Sequence, residues 1–150
     1  MQPVAQHAWV LDTNAVLDWL VFDDASMRAA TAPLRAGLAC WVHTQAMLDE
    51  LADVVSREVI TRRATATPED LLERVNRARG AHGLLLATAP RCAWACADPD
   101  DQMFIDLAVQ ACARVLVTRD KALLALAREA AGASDLRILR PAELAALDAG

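Results

Sequence analysis

Two apolar runs, AWVL at 8–11 and VLV at 115–117, close to aspartates: Asp12 directly after the first and Asp120 just beyond the second. Runs that are apolar at successive positions suit strands covered on both faces, and such strands belong to parallel sheets flanked by helices. Similar runs recur between helical patterns, an alternation that argues for βαβ units. Strands are expected near 8–12, 39–43, 92–96, 114–118 and 136–139. Helices are expected near 14–22, 25–36, 45–58, 69–88, 100–113, 121–130 and 142–148. Pro68 and Pro141 stand where helices begin, and Gly37 and Gly132 are placed as C-terminal stops. Gly80 and Gly83 weaken the long 69–88 helix. Residues 1–150 read as a single α/β domain, without repeat, linker or low-complexity tract.

Composition narrows the function classes. A hydrophobic share of 55% excludes a disordered chain, yet no apolar run reaches the length of a membrane span. The first residues, MQPVAQHAWVLD, show neither a basic stretch nor an apolar leader, so a cytoplasmic protein is expected. A net charge of −5 argues against a protein that coats nucleic acid nonspecifically. The charge is uneven: residues 57–91 carry +3 and the rest of the chain −8. That pattern suits either a solvated helical face or a basic rim beside an acidic centre. Cys40, Cys92, Cys96 and Cys112 fall in segments that read as buried, where a thiol acts as a small hydrophobe.

Helical spacing separates the acidic residues. Along 45–58, Glu50 shares a stripe with Met47 and Val54, whereas Asp49 and Asp53 line up with Gln45 on a polar face. Asp101 lies in line with Ile105, Ala108 and Cys112; Asp106 aligns with Gln102 and Gln110 and is expected in solvent. Asp98 and Asp100 flank Pro99; Asp98 reads as a turn residue and Asp100 as an auxiliary ligand. Asp12, Glu50, Asp101 and Asp120 therefore point toward the core side or the carboxyl edge of the sheet, where open α/β folds place their ligands. At about 4 Å and an effective dielectric near 20, each pair of carboxylates repels by roughly 4 kcal/mol. A divalent cation with a taste for oxygen ligands, Mg²⁺ or Mn²⁺, removes that cost.

Thr13, Asn14 and Thr118 stand where strands turn into helices, as helix caps or as supports for the acidic centre. His7, His43 and His82 read as structural, and the four tryptophans (Trp9, Trp19, Trp41, Trp94) as core or interface anchors. No glycine-rich phosphate loop exists in a chain with five glycines.

Four pieces in order, WVLDTNAVLDWL, AMLDELADVVSR, DPDDQMFIDLA and VLVTRDKALL, are similar to the pattern of the PIN-domain family. Among its members the chain resembles the VapC-like toxin ribonucleases of bacterial type II toxin–antitoxin systems. The resemblance covers almost the whole chain, matches the family's acidic positions to Asp12, Glu50, Asp101 and Asp120, and is loose only over 57–91. It implies a three-layer α/β/α sandwich around a five-stranded parallel sheet. It also implies Mg²⁺- or Mn²⁺-dependent cleavage of RNA, a homodimer, and a cognate antitoxin protein.

On this reading the four carboxylates are catalytic and metal-binding, with Thr13, Asn14 and Thr118 in support. Arg119 and Lys121 beside Asp120, and Arg57, Arg62 and Arg63 in the basic segment, are candidates to meet RNA phosphates. Two rivals remain at this point. One is a non-catalytic interaction module whose acidic pocket receives a partner. The other is an aspartyl-phosphate phosphatase with Asp12 as nucleophile, although Thr13-Asn14 lacks the second aspartate such an enzyme would place two positions on.

Overall fold

The computed structural model describes residues 6–149; residues 1–5, read above as carrying no leader, lie outside the described residues. Five parallel strands, β1 (His7–Leu11), β2 (Ala39–His43), β3 (Gly83–Leu85), β4 (Val115–Val117) and β5 (Arg137–Leu139), form one sheet in the order β3-β2-β1-β4-β5. Trp9 pairs with Trp41 on one side and Val115 on the other, which puts β1 at the centre. The chain leaves β1 for one flank and later returns for the other. The carboxyl ends of β1 and β4 are therefore the switch point of the topology, where a crevice opens.

Among the described residues, ten α-helices cover the sheet: α1 (Thr13–Leu20), α2 (Ala25–Ala30), α3 (Ala32–Arg35), α4 (Gln45–Val55), α5 (Glu58–Ala64), α6 (Pro68–His82), α7 (Gln102–Gln110), α8 (Lys121–Leu124), α9 (Ala127–Ala133) and α10 (Pro141–Ala149). Trp9, Leu11 and Trp41 face one layer, with side chains from α1 to α4, α6 and α10. Val10, Val42, Leu116 and Ile138 face the other, with Phe104, Ile105 and Leu107 of α7 and Leu123 and Ala130 of α8 and α9. Both faces of the central strands are buried, hence their unbroken apolar runs. The fold is the expected three-layer α/β/α sandwich.

Several expectations need correction. The third strand is β3, and the expected strand at 92–96 is irregular. Alternate side chains there do turn inward, at Cys92, Trp94 and Cys96, but the backbone bonds to α7 side chains instead of a strand. The Cys92 and Cys96 N–H groups donate to Asp106 Oδ1 at 2.9 Å and Gln102 Oε1 at 2.7 Å, and Gln102 Nε2 donates to the Trp94 carbonyl at 2.9 Å. Asp106 is consequently buried (9% exposed), not solvated. The 69–88 helix stops at His82, and the 45–58 helix stops at Val55, followed by the separate α5. The expected helices at 25–36 and 121–130 are each divided in two; in the first the break is at the buried Thr31, whose hydroxyl donates to the Met27 carbonyl at 2.7 Å. Finally, Gly132 lies within α9, and Cys112 is exposed in a left-handed turn with φ 50°.

Gly83 shows why α6 can run straight into β3. A Cβ there would stand 2.8 Å from the His43 ring and 3.0 Å from the Arg79 backbone, so only hydrogen permits that approach. Gly83→Ala is expected to destabilise the fold by about 1–3 kcal/mol through overpacking. Gly80→Ala, with nothing within 4 Å in the interior of α6, is expected to stabilise it by about 0.5–1 kcal/mol. Urea midpoints of the two variants check the contrast.

Candidate acidic active site

Asp12 follows β1 directly and is 3% exposed. One carboxylate oxygen caps α1, accepting the Ala15 N–H at 2.8 Å. The other accepts the hydroxyl of Thr118, which is fully buried just after β4. Thr118 Oγ1 in turn accepts the Asp120 N–H at 2.9 Å, and Asp120 caps α8 through the Ala122 N–H at 2.8 Å. One hydroxyl thus ties together the ends of the two strands at the switch point.

A third wall comes from the turn before α7. Asp98 accepts the Asp100 N–H at 3.0 Å and so caps a single 3₁₀ turn, Pro99–Asp101, which delivers Asp101 to the crevice. Asp98, Asp101 and Asp120 each bring one carboxylate oxygen within 4.8 Å of the others. Asp101 Oδ2 is buried and has no hydrogen-bond partner. Glu50, on α4, is linked to the strand end through Thr13, whose hydroxyl donates to Glu50 Oε2 at 2.6 Å.

The crowding is visible in the acidities. Burial pushes the Asp12 carboxyl up to about 6, against the Thr118 and Ala15 hydrogen bonds and with help from the charges of Asp120 and Asp18. Asp101 is pushed up to about 7 by burial, then by its hydrogen bond to Asp120 and by the charges of Asp120, Asp98 and Asp12. At 4.8 Å, two ionised carboxylates repel by about 3 kcal/mol at an effective dielectric near 20. No ion pair among the described residues engages Asp12, Glu50, Asp98, Asp101 or Asp120. Hard oxygen donors converging around an unpartnered buried oxygen fit a divalent cation such as Mg²⁺ or Mn²⁺. Asp98, Asp101 and Asp120 are the residues placed to hold it.

The remaining candidates separate in space. Thr13 and Thr118 bond to carboxylates, whereas Asn14 is exposed on the first turn of α1. Asp100 is exposed and outside the aspartate triad; Asp98, read from sequence as a turn residue, caps the turn and also stands in the triad. The spacing of three across one helical turn was the signal for Asp98. Arg119, a candidate for phosphate, instead bridges Asp18 at 2.6 Å and Asp24 at 3.4 Å. Arg57 pairs with Asp53 at 2.9 Å, Arg62 pairs with Glu58, and Arg63 lies 4.0 Å over the Phe22 ring. Lys121 is exposed and has no ion pair among the described residues. Asp18 was missed by sequence reasoning; burial pushes its carboxyl above the usual range, making it harder to ionise, opposed by Arg119. His43 is structural: its Nδ1–H donates to the Trp41 carbonyl at 3.2 Å and its Nε2 accepts from Arg79 at 3.1 Å. Burial lowers it to about 4.

Comparison with known families matches residues 8–122 to the family described as PIN domain. No curated protein matches the chain.

Carboxyls that are harder to ionise in the folded than in the unfolded chain stabilise the fold at low pH, and that stability is lost as pH rises through their folded values. For Asp12 the rise from 3.8 to about 6 corresponds to about 3 kcal/mol. The metal-free protein is therefore expected to lose stability between about pH 4 and pH 7, with Asp101 extending the loss to the upper end. Thermal melts in EDTA check this. Asp101→Asn should raise the melting temperature at pH 8 and flatten the profile, and Mn²⁺ should stabilise the wild type more at pH 8 than at pH 5.5.

Proposed function

Because the chain belongs to the PIN-domain family, a family of metal-dependent nucleases, we propose that it is an endoribonuclease that hydrolyses RNA phosphodiester bonds with Mg²⁺ or Mn²⁺. We place it as the toxin of a type II toxin–antitoxin pair that acts in the cytoplasm as a homodimer. The observation that carries the nuclease reading is the buried, unpartnered Asp101 Oδ2 within the triad of Asp98, Asp101 and Asp120.

The bound cation would lower the pKa of a water and stabilise the negative charge that grows on the phosphoryl oxygens. The chain supplies the frame for that chemistry. Asp12, Asp101 and Asp120 line the crevice, with Asp98 closing its outer side. Glu50, which accepts the Thr13 hydroxyl, would position the attacking water and take its proton as the water oxygen bonds to phosphorus. The P–O bond on the opposite side then breaks, the departing ribose oxygen takes up a proton from solvent water, and Glu50 releases to solvent the proton it had taken. Thr118 keeps Asp12 and Asp120 in register throughout. The same acidic crevice would receive a basic side chain of the antitoxin, which accounts for inhibition by charge complementarity.

Cleavage of a labelled RNA panel with Mg²⁺ or Mn²⁺ tests the proposal, with EDTA and Asp12→Asn as controls. Asn keeps a capping oxygen for Ala15, so the fold is expected to persist while activity falls by at least about 10²-fold. Thr118→Val, which removes the hydroxyl but approximately keeps the volume, is expected to cost roughly 10–100-fold. Full activity of Asp12→Asn would overturn the assignment. The toxin role is checked separately, by whether a small adjacent gene product with a DNA-binding pattern binds the protein and blocks cleavage.

A further inference from the structure

A groove of about 420 Å³ lies away from the acidic centre, between the C-terminal end of α1, α3 and α6. Trp19, His82, Arg35, Arg74, Arg77 and Asp23 contribute to its walls. Trp19 is braced edge-on against the buried Trp41, with ring centroids 5.6 Å apart and planes at 79°. His82 leans toward Trp19 at 6.3 Å and 39°, and both rings are half-buried, leaving surface open to the groove.

The cations there are incompletely neutralised. Arg35 donates to Thr31 Oγ1 at 3.0 Å and the Arg28 carbonyl at 2.9 Å, and Arg74 to the Val21 carbonyl at 3.4 Å; neither meets a carboxylate among the described residues. Arg77 pairs with Glu73 at 3.1 Å, with both side chains largely in solvent. Asp23, the acidic residue in the lining, is taken by Arg28 at 2.7 Å. In a chain of net charge −5, three arginines, Arg35, Arg74 and Arg77, thus stand beside two aromatic rings. Arginines that meet phosphates, together with rings that offer a stacking surface, are the two components of single-strand recognition.

We propose that this groove binds single-stranded RNA, with phosphates on Arg35, Arg74 and Arg77 and a base against Trp19 and His82. The proposal deepens the ribonuclease reading and rests on RNA being the substrate. Trp19 lies seven positions beyond Asp12 along α1, which sets the groove roughly 10 Å from the acidic centre. Arg119 holds the intervening Asp18, and so reduces the repulsion a phosphate would meet on the way. An acidic peptide would satisfy the arginines but leave the rings without a flat partner, which favours RNA.

Fluorescence anisotropy with a labelled, mixed-sequence single-stranded RNA in EDTA tests this without cleavage. For single strands, losing two phosphate contacts should lower the slope of log affinity against log salt by about 1.4, or roughly 25-fold in affinity at ~0.1 M salt. Arg74→Gln/Arg77→Gln is expected to show that change with an unaltered melting temperature. His82→Ala is expected to weaken binding roughly fivefold or more while leaving the slope unchanged, the signature of lost stacking. Unchanged affinity and slope in a folded double variant would overturn the proposal, as would binding of polyglutamate in preference to RNA. The two readings fail separately. Groove-dependent binding with full cleavage by Asp12→Asn sinks only the nuclease assignment; cleavage lost in Asp12→Asn but binding intact in the double variant sinks only the groove.

Discussion

The hydroxyl of Thr118 is the joint on which the crevice depends. It donates to Asp12 at the end of β1 and accepts the backbone N–H of Asp120 beyond β4. Each strand end alone would leave its aspartate as an ordinary helix cap. Joined through one buried oxygen, the two caps face the same crevice, and the chain pays there in desolvated carboxylates. The topology makes the joint available, because only β1 and β4 are adjacent strands whose connections leave in opposite directions.

Charge is arranged around that centre rather than within it. Arg119 turns away from Asp120, its sequence neighbour, to hold Asp18 and Asp24. Arg57 and Arg62 are spent on carboxylates of their own helical turns, pairs exposed enough to contribute little to stability. The acidic crevice is consequently left without a cationic side chain among the described residues, and its repulsion remains for a bound cation to relieve. Arg35 and Arg74, which meet no carboxylate among the described residues, sit on a different surface.

Much of this was legible in the sequence, for identifiable reasons. Apolar periodicity records which face of an element is covered, so it located four of the five strands and the inward turn of Asp101. It failed at 92–96, where inward and outward side chains alternate as in a strand but the hydrogen bonds go to Gln102 and Asp106. Periodicity reports side-chain direction and says nothing of where backbone N–H groups find their partners. The same limit explains Asp106, whose polar neighbours on the helix stripe suggested solvent while a distant loop covers it.

By itself, the sequence determined the layering of the fold and the positions of Asp12, Glu50, Asp101 and Asp120 relative to it, since burial pattern and strand ends are local properties. Tertiary structure alone decided which oxygens would be satisfied and which left bare. Asp98 joins the triad because a 3₁₀ turn folds it back toward Asp101 and Asp120. Arg119 is withdrawn because α1 presents Asp18 within reach, 101 positions away in the chain. Hydrogen bonds and ion pairs act over a few ångströms of space, and proximity between residues so far apart in the chain exists only once the sheet has brought their strands together.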